Sequence, residues 1–254
     1  MESLNNELVS VIMLSHNNSE TVDESVKSVV AQTYQNWELL FIDDASKDKS
    51  LSKMMEWMNT DHRIKVSCVV EKSGTTVAGN IALKEAKGRW IAFIGTDSIW
   101  QPEKLERQID FMNENSYAFS YTKYGMGHEP AYVMGGPEYV THAGMMKCCW
   151  PEYFTVMYDA AKIGKVAVKN LKENNNYAYW LAISKKEACH LLPECLATQL
   201  RVRRRFFTLM IKGKFRWRYE VYRLVEDMNQ IVSLIMTYRN FIYTIWKRVK
   251  YVER

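Results

Sequence analysis

Three carboxylates sit where buried runs of sequence end. Residues 37–42 (WELLFI) lead into Asp43-Asp44, and residues 91–94 (IAFI) lead into Gly95-Thr96-Asp97. An apolar run followed by turn residues reads as a buried strand that delivers side chains to its carboxyl end. Carboxylates held there can accept hydrogen bonds from a base or ribose, or hold a divalent cation against a diphosphate. Asp is also common at turns and helix caps, which is the plainer reading of each acid alone. Other phosphate chemistry is excluded by spacing. Gly74 and Gly79 are followed by Asn80 and Ile81 where a P-loop needs Lys and Ser/Thr, and neither GxGxxG nor GxSxG occurs.

The elements needed to position these acids are legible. Residues 8–14 (LVSVIML) form a first apolar strand, and Val22, Val26, Val29 and Val30 then recur at helical spacing, with Thr21 and Glu24 placed for a capping box. The Asp43-Asp44 strand is second, and a helix around SLSKMMEWMN follows it. IKVSCVV (64–70) is third, and a helix over 75–87 leads to the fourth strand, WIAFI. Pro102 opens a helix presenting Leu105, Ile109 and Met112 on one face, and AFSYTKY is a fifth strand. Strands alternating with helices predict a parallel sheet covered on both faces, with ligands at the strands' carboxyl ends. Beyond a Gly-rich stretch at 125–136, a short helix near 138–147, a strand FTVMYD and a helix containing NNNYAYWLAISKK are expected.

Composition sets the class. The chain has 254 residues, 47% apolar and 25% charged, enough for one large α/β domain with an appendage. Net charge is +5, but residues 201–254 hold 14 Lys/Arg against 4 Asp/Glu. That imbalance points to an anionic partner at the C-terminal quarter. No nucleic-acid recognition motif accompanies it, so nucleic acid is not expected. Five cysteines without a CxxC pair read as reduced thiols of a cytoplasmic protein. MESLNNELVS has no leader pattern, and no stretch reaches the ~18 apolar residues of a spanning helix. Residues 214–254 lack Gly and Pro. Val221, Val225, Met228, Val232, Ile235, Ile242, Trp246 and Val249 follow 3–4 spacing there, as in one or two long amphipathic helices that could pack on the core, pair with a partner helix or lie on a membrane.

The segments VSVIMLSHNN, QTYQNWELLFIDDASKD, AGNIALKEAKGRWIAFIGTDSIWQPEKLERQ and TVMYDAAKIGK…NYAYWL resemble, in order and spacing, the family 2 glycosyltransferases, above all bacterial enzymes of capsule and teichuronic-acid assembly. The resemblance covers about residues 8–200. It implies a GT-A fold, a Rossmann-like mostly parallel sheet flanked by helices, over a domain at 1–200 with a nucleotide-sugar half at about 1–125 and an acceptor half at about 126–200; the charge and spacing noted above add a basic, C-terminal amphipathic helical extension at 201–254. The implied chemistry is transfer of a sugar, with inversion, from a nucleotide sugar (UDP- or similar) to a saccharide or polyprenyl-diphosphate-linked acceptor. A divalent metal, Mg or Mn, would assist. The expected location is cytoplasmic, peripheral at the inner face of the cell membrane through 201–254.

Carried over residue by residue, the resemblance places Ser15, Asn17, Asp43, Asp44, Asp97 and Arg201 at the nucleotide sugar, with Asp97 as the metal ligand. Three family residues are missing. Gly79 stands in Ala78-Gly79-Asn80 where the family has a nucleotide-contacting Arg. Gly95 stands where the first acid of D-x-D belongs. Asn176 stands at the family's general base, and an amide cannot take the acceptor's proton at neutral pH. Glu173, His190 or a substrate phosphate are the substitutes on offer. The alternative reading is therefore a catalytically degenerate homologue acting as a scaffold or partner subunit. Arg201 matches a donor-contacting Arg of the family, and the cluster it forms with Arg203, Arg204 and Arg205 suits anionic lipid equally well.

Overall fold

A computed structural model describes residues 7–127, 132–171, 176–200 and 209–253, with the backbone alone over 209–214. Glu173, His128, Arg201 and Arg203–Arg205 lie outside the described residues. The first half alternates as expected: β1 (Val9–Ser15), α1 (Val22–Val30), β2 (Trp37–Asp44), α2 (Ser50–Thr60), β3 (Ile64–Val69), α3 (Thr75–Glu85), β4 (Trp90–Gly95), a short β5 (Ser98–Trp100), α4 (Lys104–Glu114) and β6 (Phe119–Met126). The second half is more irregular: β7 (Val133–Met134), β8 (Tyr139–Val140), α5 (His142–Met145), a 3-10 turn (Tyr153–Thr155), β9 (Val156–Asp159), α6 (Ala160–Ile163), α7 (Asn176–Ser184), β10 (Cys189–Gln199), α8 (Leu209–Leu224), α9 (Gln230–Lys250) and β11 (Val252–Glu253).

The sheet runs β11-β7-β6-β9-β4-β1-β2-β3, with β10 along β6 and carrying β5 and β8. Strands β4, β1, β2 and β3 are parallel neighbours. Alternate residues feed two cores. Val9, Val11 and Met13 of β1 face Val22, Val26 and Val29 of α1 together with Leu105, Ile109 and Met112 of α4. Ile12, with Leu40 and Ile42 of β2, faces Ala78, Ala82 and Leu83 of α3 and the aromatic α7. Each such fully buried aliphatic side chain contributes about 1.5–3 kcal/mol.

The fifth strand does not extend the parallel run directly. β9 is inserted between β4 and β6 and is antiparallel to both. Strand direction leaves no trace in periodicity, because a strand buried on both faces is an apolar run either way. Buried Asp159 anchors the insertion: it accepts from the Arg89 guanidinium (2.9 Å) and from the first amides of α6. The capping box of α1 does not form, since Thr21 has φ −120° and caps nothing through its side chain. Glu24 is not needed there, because the carbonyl of Asn18 takes the Thr21 and Val22 amides (3.2 and 3.1 Å).

The C-terminal helices dock on the domain. Buried Tyr177 and Tyr222 share the side-chain amide of Asn240 (3.2 and 3.1 Å), and β11 adds to the sheet edge along β7. The faces of α9 are inverted. Its buried residues are Ser233, Met236, Thr237, Asn240 and Lys247, whereas Ile231, Ile235, Tyr238, Ile242, Ile245 and Val249 are exposed, Val249 at 78%. Val232, Ile235, Ile242 and Val249 of the 3–4 series thus lie on the outward side, and the helix is seated by polar hydrogen bonds together with Met236, Tyr243 and the Trp246 ring against Trp150.

Candidate active site

Strand register explains why the acids meet. Ser15 pairs with Asp43, and Leu14 with Gly95, so the carboxyl ends of β1, β2 and β4 align. The chain leaves β1 toward β2 and β3 and returns to β4 on the other side, which places the topological switch point at β1 and β4. A cleft of about 600 Å³ opens there, walled by Leu14, Ser15, His16, Asn18, Asp44, Lys72, Thr75, Ala78, Gly95, Thr96, Asp97, Glu152, Tyr153, Phe154, Asn176 and Gln199.

Ser15, Asp44, Asp97 and Asn176 are therefore brought together. Asn17 and Asp43 stand just behind them and organise the loops. Asn17 accepts the Lys47 amide (2.8 Å) and donates its own amide to Ser46 Oγ (2.9 Å), while Asp43 accepts the Ser46 amide (2.8 Å). Both loops contain left-handed residues that are not glycine, Asn17 (φ 58°) and Ala45 (φ 56°). Asp44 is saturated: it takes the Ser73 amide and hydroxyl (2.7 and 2.9 Å) on Oδ1 and the Gly74 amide (3.0 Å) on Oδ2. It thereby fixes the turn into α3. His16 donates Nδ1–H to the Asp44 carbonyl (2.7 Å), which leaves Nε2 to accept from the Asn17 side-chain Nδ2 (3.2 Å).

Polar capacity in this region is unspent. The hydroxyl of Ser15 in the cleft wall and Oδ1 of Asp43 behind it are buried without a hydrogen-bond partner. Unmet buried groups of this kind cost about 1–3 kcal/mol each, and a polar ligand can relieve that cost. The backbone of Asp97 is clamped, its carbonyl accepting from the Leu200 amide (2.8 Å) and Gln199 Nε2 (3.2 Å). No cluster of three metal-ligating side chains occurs among the described residues. Asp97 as a single protein carboxylate still fits a hard cation that takes its remaining ligands from water and substrate phosphates.

Gly79 and Gly95, where the resemblance implies an Arg and an acid, have physical counterparts. A Cβ on Gly79 would lie 2.5 Å from the Tyr179 hydroxyl, so Tyr179 occupies the space an Arg side chain would need. A Cβ on Gly95 would lie 3.1 Å from Asp97 Oδ1 and from Ser98 Oγ, so the one acid leans over the position of the other. His190 is no substitute base, because its ring stacks on Tyr117 (centroids 3.5 Å apart) and is not part of the cleft lining.

The family model described as Glycosyl transferase family 2 matches residues 10–141. The chain belongs to this family. It is 35% identical over 195 residues to the putative teichuronic acid biosynthesis glycosyltransferase TuaG of Bacillus subtilis, covering 75% of this chain and 77% of that one. It is 37% identical over 180 residues to the Escherichia coli UDP-Glc:alpha-D-GlcNAc-diphosphoundecaprenol beta-1,3-glucosyltransferase WfgD, covering 70% of each. Its fold matches that of S. aureus TarS 1-349 in complex with UDP-GlcNAc, with TM-score 0.71 and 20% identity over 92% of this chain and 73% of that one. The fold of this family 2 transferase is GT-A.

His16 and Lys72 lie in the strand-end stretches 15–18 and 71–74 that the sequence marks as ligand positions, though neither is singled out there, whereas Glu152 and Gln199 in the cleft of the transferase are missed. Nothing in the spacing marks Glu152 or Gln199, which arrive through the inserted β9 and through β10.

Proposed function

We propose that this transferase moves a sugar, with inversion, from a UDP-sugar to a saccharide carried on a polyprenyl diphosphate, in surface-polysaccharide assembly. The observation that carries the reading is the polar cleft at the switch point, which joins Asp97, the unspent hydroxyl of Ser15 and Lys72. The named activities of the relatives supply the UDP-sugar and the lipid diphosphate as the nearest chemistry. Ser15 and Asn17, with Asp43 and Asp44, frame the nucleoside. Asp97 would hold a Mg or Mn ion, which when bound neutralises the diphosphate as it leaves. Lys72 adds a cation at the same mouth, and Arg201 is a further candidate for the diphosphate. Calorimetric titration with UDP and Mn²⁺ tests this. Binding that Asp97→Ala weakens at least tenfold is expected, and absence of UDP binding at millimolar concentration refutes it.

The degenerate-homologue reading is favoured by Asn176, an amide in the cleft where the proton acceptor is needed. It requires UDP binding without turnover, and robust transfer by the wild type excludes it.

The outward face of α9 fits an anionic lipid surface at the inner face of the cell membrane. Besides the buried Lys247, that helix carries the half-buried Arg239 and Arg248 and the exposed Lys250, and no Asp or Glu. A second copy would set these charges against their own kind, whereas anionic headgroups complement them while Ile231, Ile235, Ile242 and Val249 enter the interface. No described helix is long and apolar enough to cross a membrane. Sedimentation with phosphatidylglycerol vesicles at low salt should retain the wild type and release Ile235→Glu/Ile242→Glu. Equal retention, or a dimer that the double variant dissolves, overturns it.

A further inference from the structure

We propose that Glu152 is the general base of this transferase, taking the role that an amide at Asn176 cannot fill. The inference rests on the transferase reading above. Among the described residues three acidic side chains line the cleft, namely Asp44, Asp97 and Glu152. Asp44 is engaged by three donors of the Ser73–Gly74 turn. Asp97 stands at the end of β4 beside Gly95, where a cation on the donor diphosphate belongs. Glu152 reaches the cleft from a different element, the turn that precedes β9.

That turn is a rigid carrier. The Glu152 carbonyl accepts both the amide and the hydroxyl of Thr155 (3.0 and 2.8 Å). The next carbonyls are held as well, Phe154 by Trp100 Nε1 (2.7 Å) and Thr155 by Gln108 Nε2 (3.1 Å). The carboxylate is oriented by Lys247 of α9 (3.6 Å), whose buried ammonium also donates to the Trp150 carbonyl (2.6 Å), and by the Tyr124 hydroxyl (3.5 Å). Its side chain remains 46% exposed.

Position decides the role. Glu152 also lines a second cavity of about 550 Å³, walled by apolar side chains such as Tyr124 and Trp217 and by the cations Arg218, Lys247 and Arg248. Apolar walls with three cations suit an amphipathic anion, the chemistry of a lipid-linked diphosphate. An acceptor seated there meets the donor at the one carboxylate common to both cavities. The acceptor hydroxyl gives its proton to Glu152 as its oxygen bonds to the anomeric carbon. The bond from that carbon to the β-phosphate oxygen breaks, and UDP leaves with the electron pair.

The test uses the full chain with Mn²⁺ and UDP-glucose. UDP release is followed with water as acceptor and with a short-alkyl diphosphate of N-acetylglucosamine. Glu152→Gln should lower kcat by about 10²–10⁴-fold and abolish the acid limb of the pH–rate profile, with UDP affinity within about twofold of wild type. Asn176→Asp placed in the Glu152→Gln background should restore part of kcat by supplying a carboxylate at the other position. If Glu152 only holds Lys247 in place, Glu152→Gln leaves the acid limb intact, and that result overturns the assignment. UDP binding by the wild type with no turnover on either acceptor also overturns it, while leaving the donor-site reading standing. Failure to bind UDP removes both.

Discussion

Lys104 offers the sharpest test of the packing beneath the site. Its side chain is fully buried, its ammonium has no hydrogen-bond partner, and it lies 3.9 Å from the centre of the Trp100 ring. Two effects compete. A cation over a desolvated indole gains about 2 kcal/mol, whereas taking an ammonium out of water costs several kcal/mol. Desolvation wins, so burial holds the Lys104 pKa well below the ordinary 10.5. The sign follows from linkage. The unfolded chain binds a proton that the folded chain lacks, so stability rises with pH between the folded pKa and 10.5, by up to about 1.4 kcal/mol per pH unit. For a chain of this size that corresponds to about 3–5 °C in Tm per pH unit. Lys104→Met keeps the volume and removes the titration. The variant should melt above wild type at pH 7, and the gap should close as pH rises toward 10.5. Thermal melts of both proteins in matched buffers decide it. A variant less stable than wild type at pH 7, with a gap independent of pH, would show that the amine keeps its charge against Trp100 and that the desolvation reasoning is wrong.

Other consequences are open to the same kind of measurement. Ala45 sits at φ 56°, where a Cβ costs about 1–2 kcal/mol, so Ala45→Gly should raise stability in denaturant melts by about 0.5–1 kcal/mol after the entropy of glycine is counted. Gly79→Ala should destabilise by about 1–3 kcal/mol through collision with the Tyr179 hydroxyl, and Tyr179→Phe should recover part of that loss in a double-mutant cycle. Glu226 is buried and its pKa is lowered: burial opposes the charge, but His142 (3.2 Å) and Lys185 (3.0 Å) outweigh it. Its stabilisation is present above its ordinary 4.5 and is lost as pH falls through the folded value. Glu226→Gln should accordingly cost about 1–3 kcal/mol at pH 7 and flatten the acid side of the stability profile.

What could be read in advance follows from which physical signals are local. The apolar runs of β1, β2 and β4 and the Val and Leu spacing of α1 and α4 are consequences of burial within a few residues, so the doubly covered sheet and its acidic strand ends were visible. Asp44 and Asp97 came with it, because strand ends in such a sheet are site positions. The antiparallel β9 was invisible in direction, and Glu152 came with it. β10 was missed because Pro193 interrupts its apolar pattern, and its register along β6 shifts on either side of Cys195. The inverted faces of α9 were beyond reach for another reason. A 3–4 apolar stripe shows that a helix has an apolar side, not whether that side meets the core.

The three positions at which the resemblance implies another residue, Gly79, Gly95 and Asn176, are not equivalent. At Gly79 the space is filled from across the fold by Tyr179, whose hydroxyl donates to the Thr76 carbonyl (2.9 Å), so an Arg there would need α7 to repack. At Gly95 the side chain of Asp97 leans over the vacated position, and one acid stands where the family has two. Both changes are absorbed by packing. Asn176 is different: it remains in the cleft, and nothing about packing explains an amide in place of an acid. A proton acceptor is the one function that packing cannot supply, since it needs a carboxylate near the reacting hydroxyl. The orientation of the remaining carboxylate, Glu152, depends on Lys247, and Lys247 projects from the polar inner face of α9. The inversion of that helix therefore has a use on both sides. Its outer residues are those proposed to meet a membrane surface, and its inner residues, Asn240, Thr244 and Lys247, tie the helix to the domain and to Glu152.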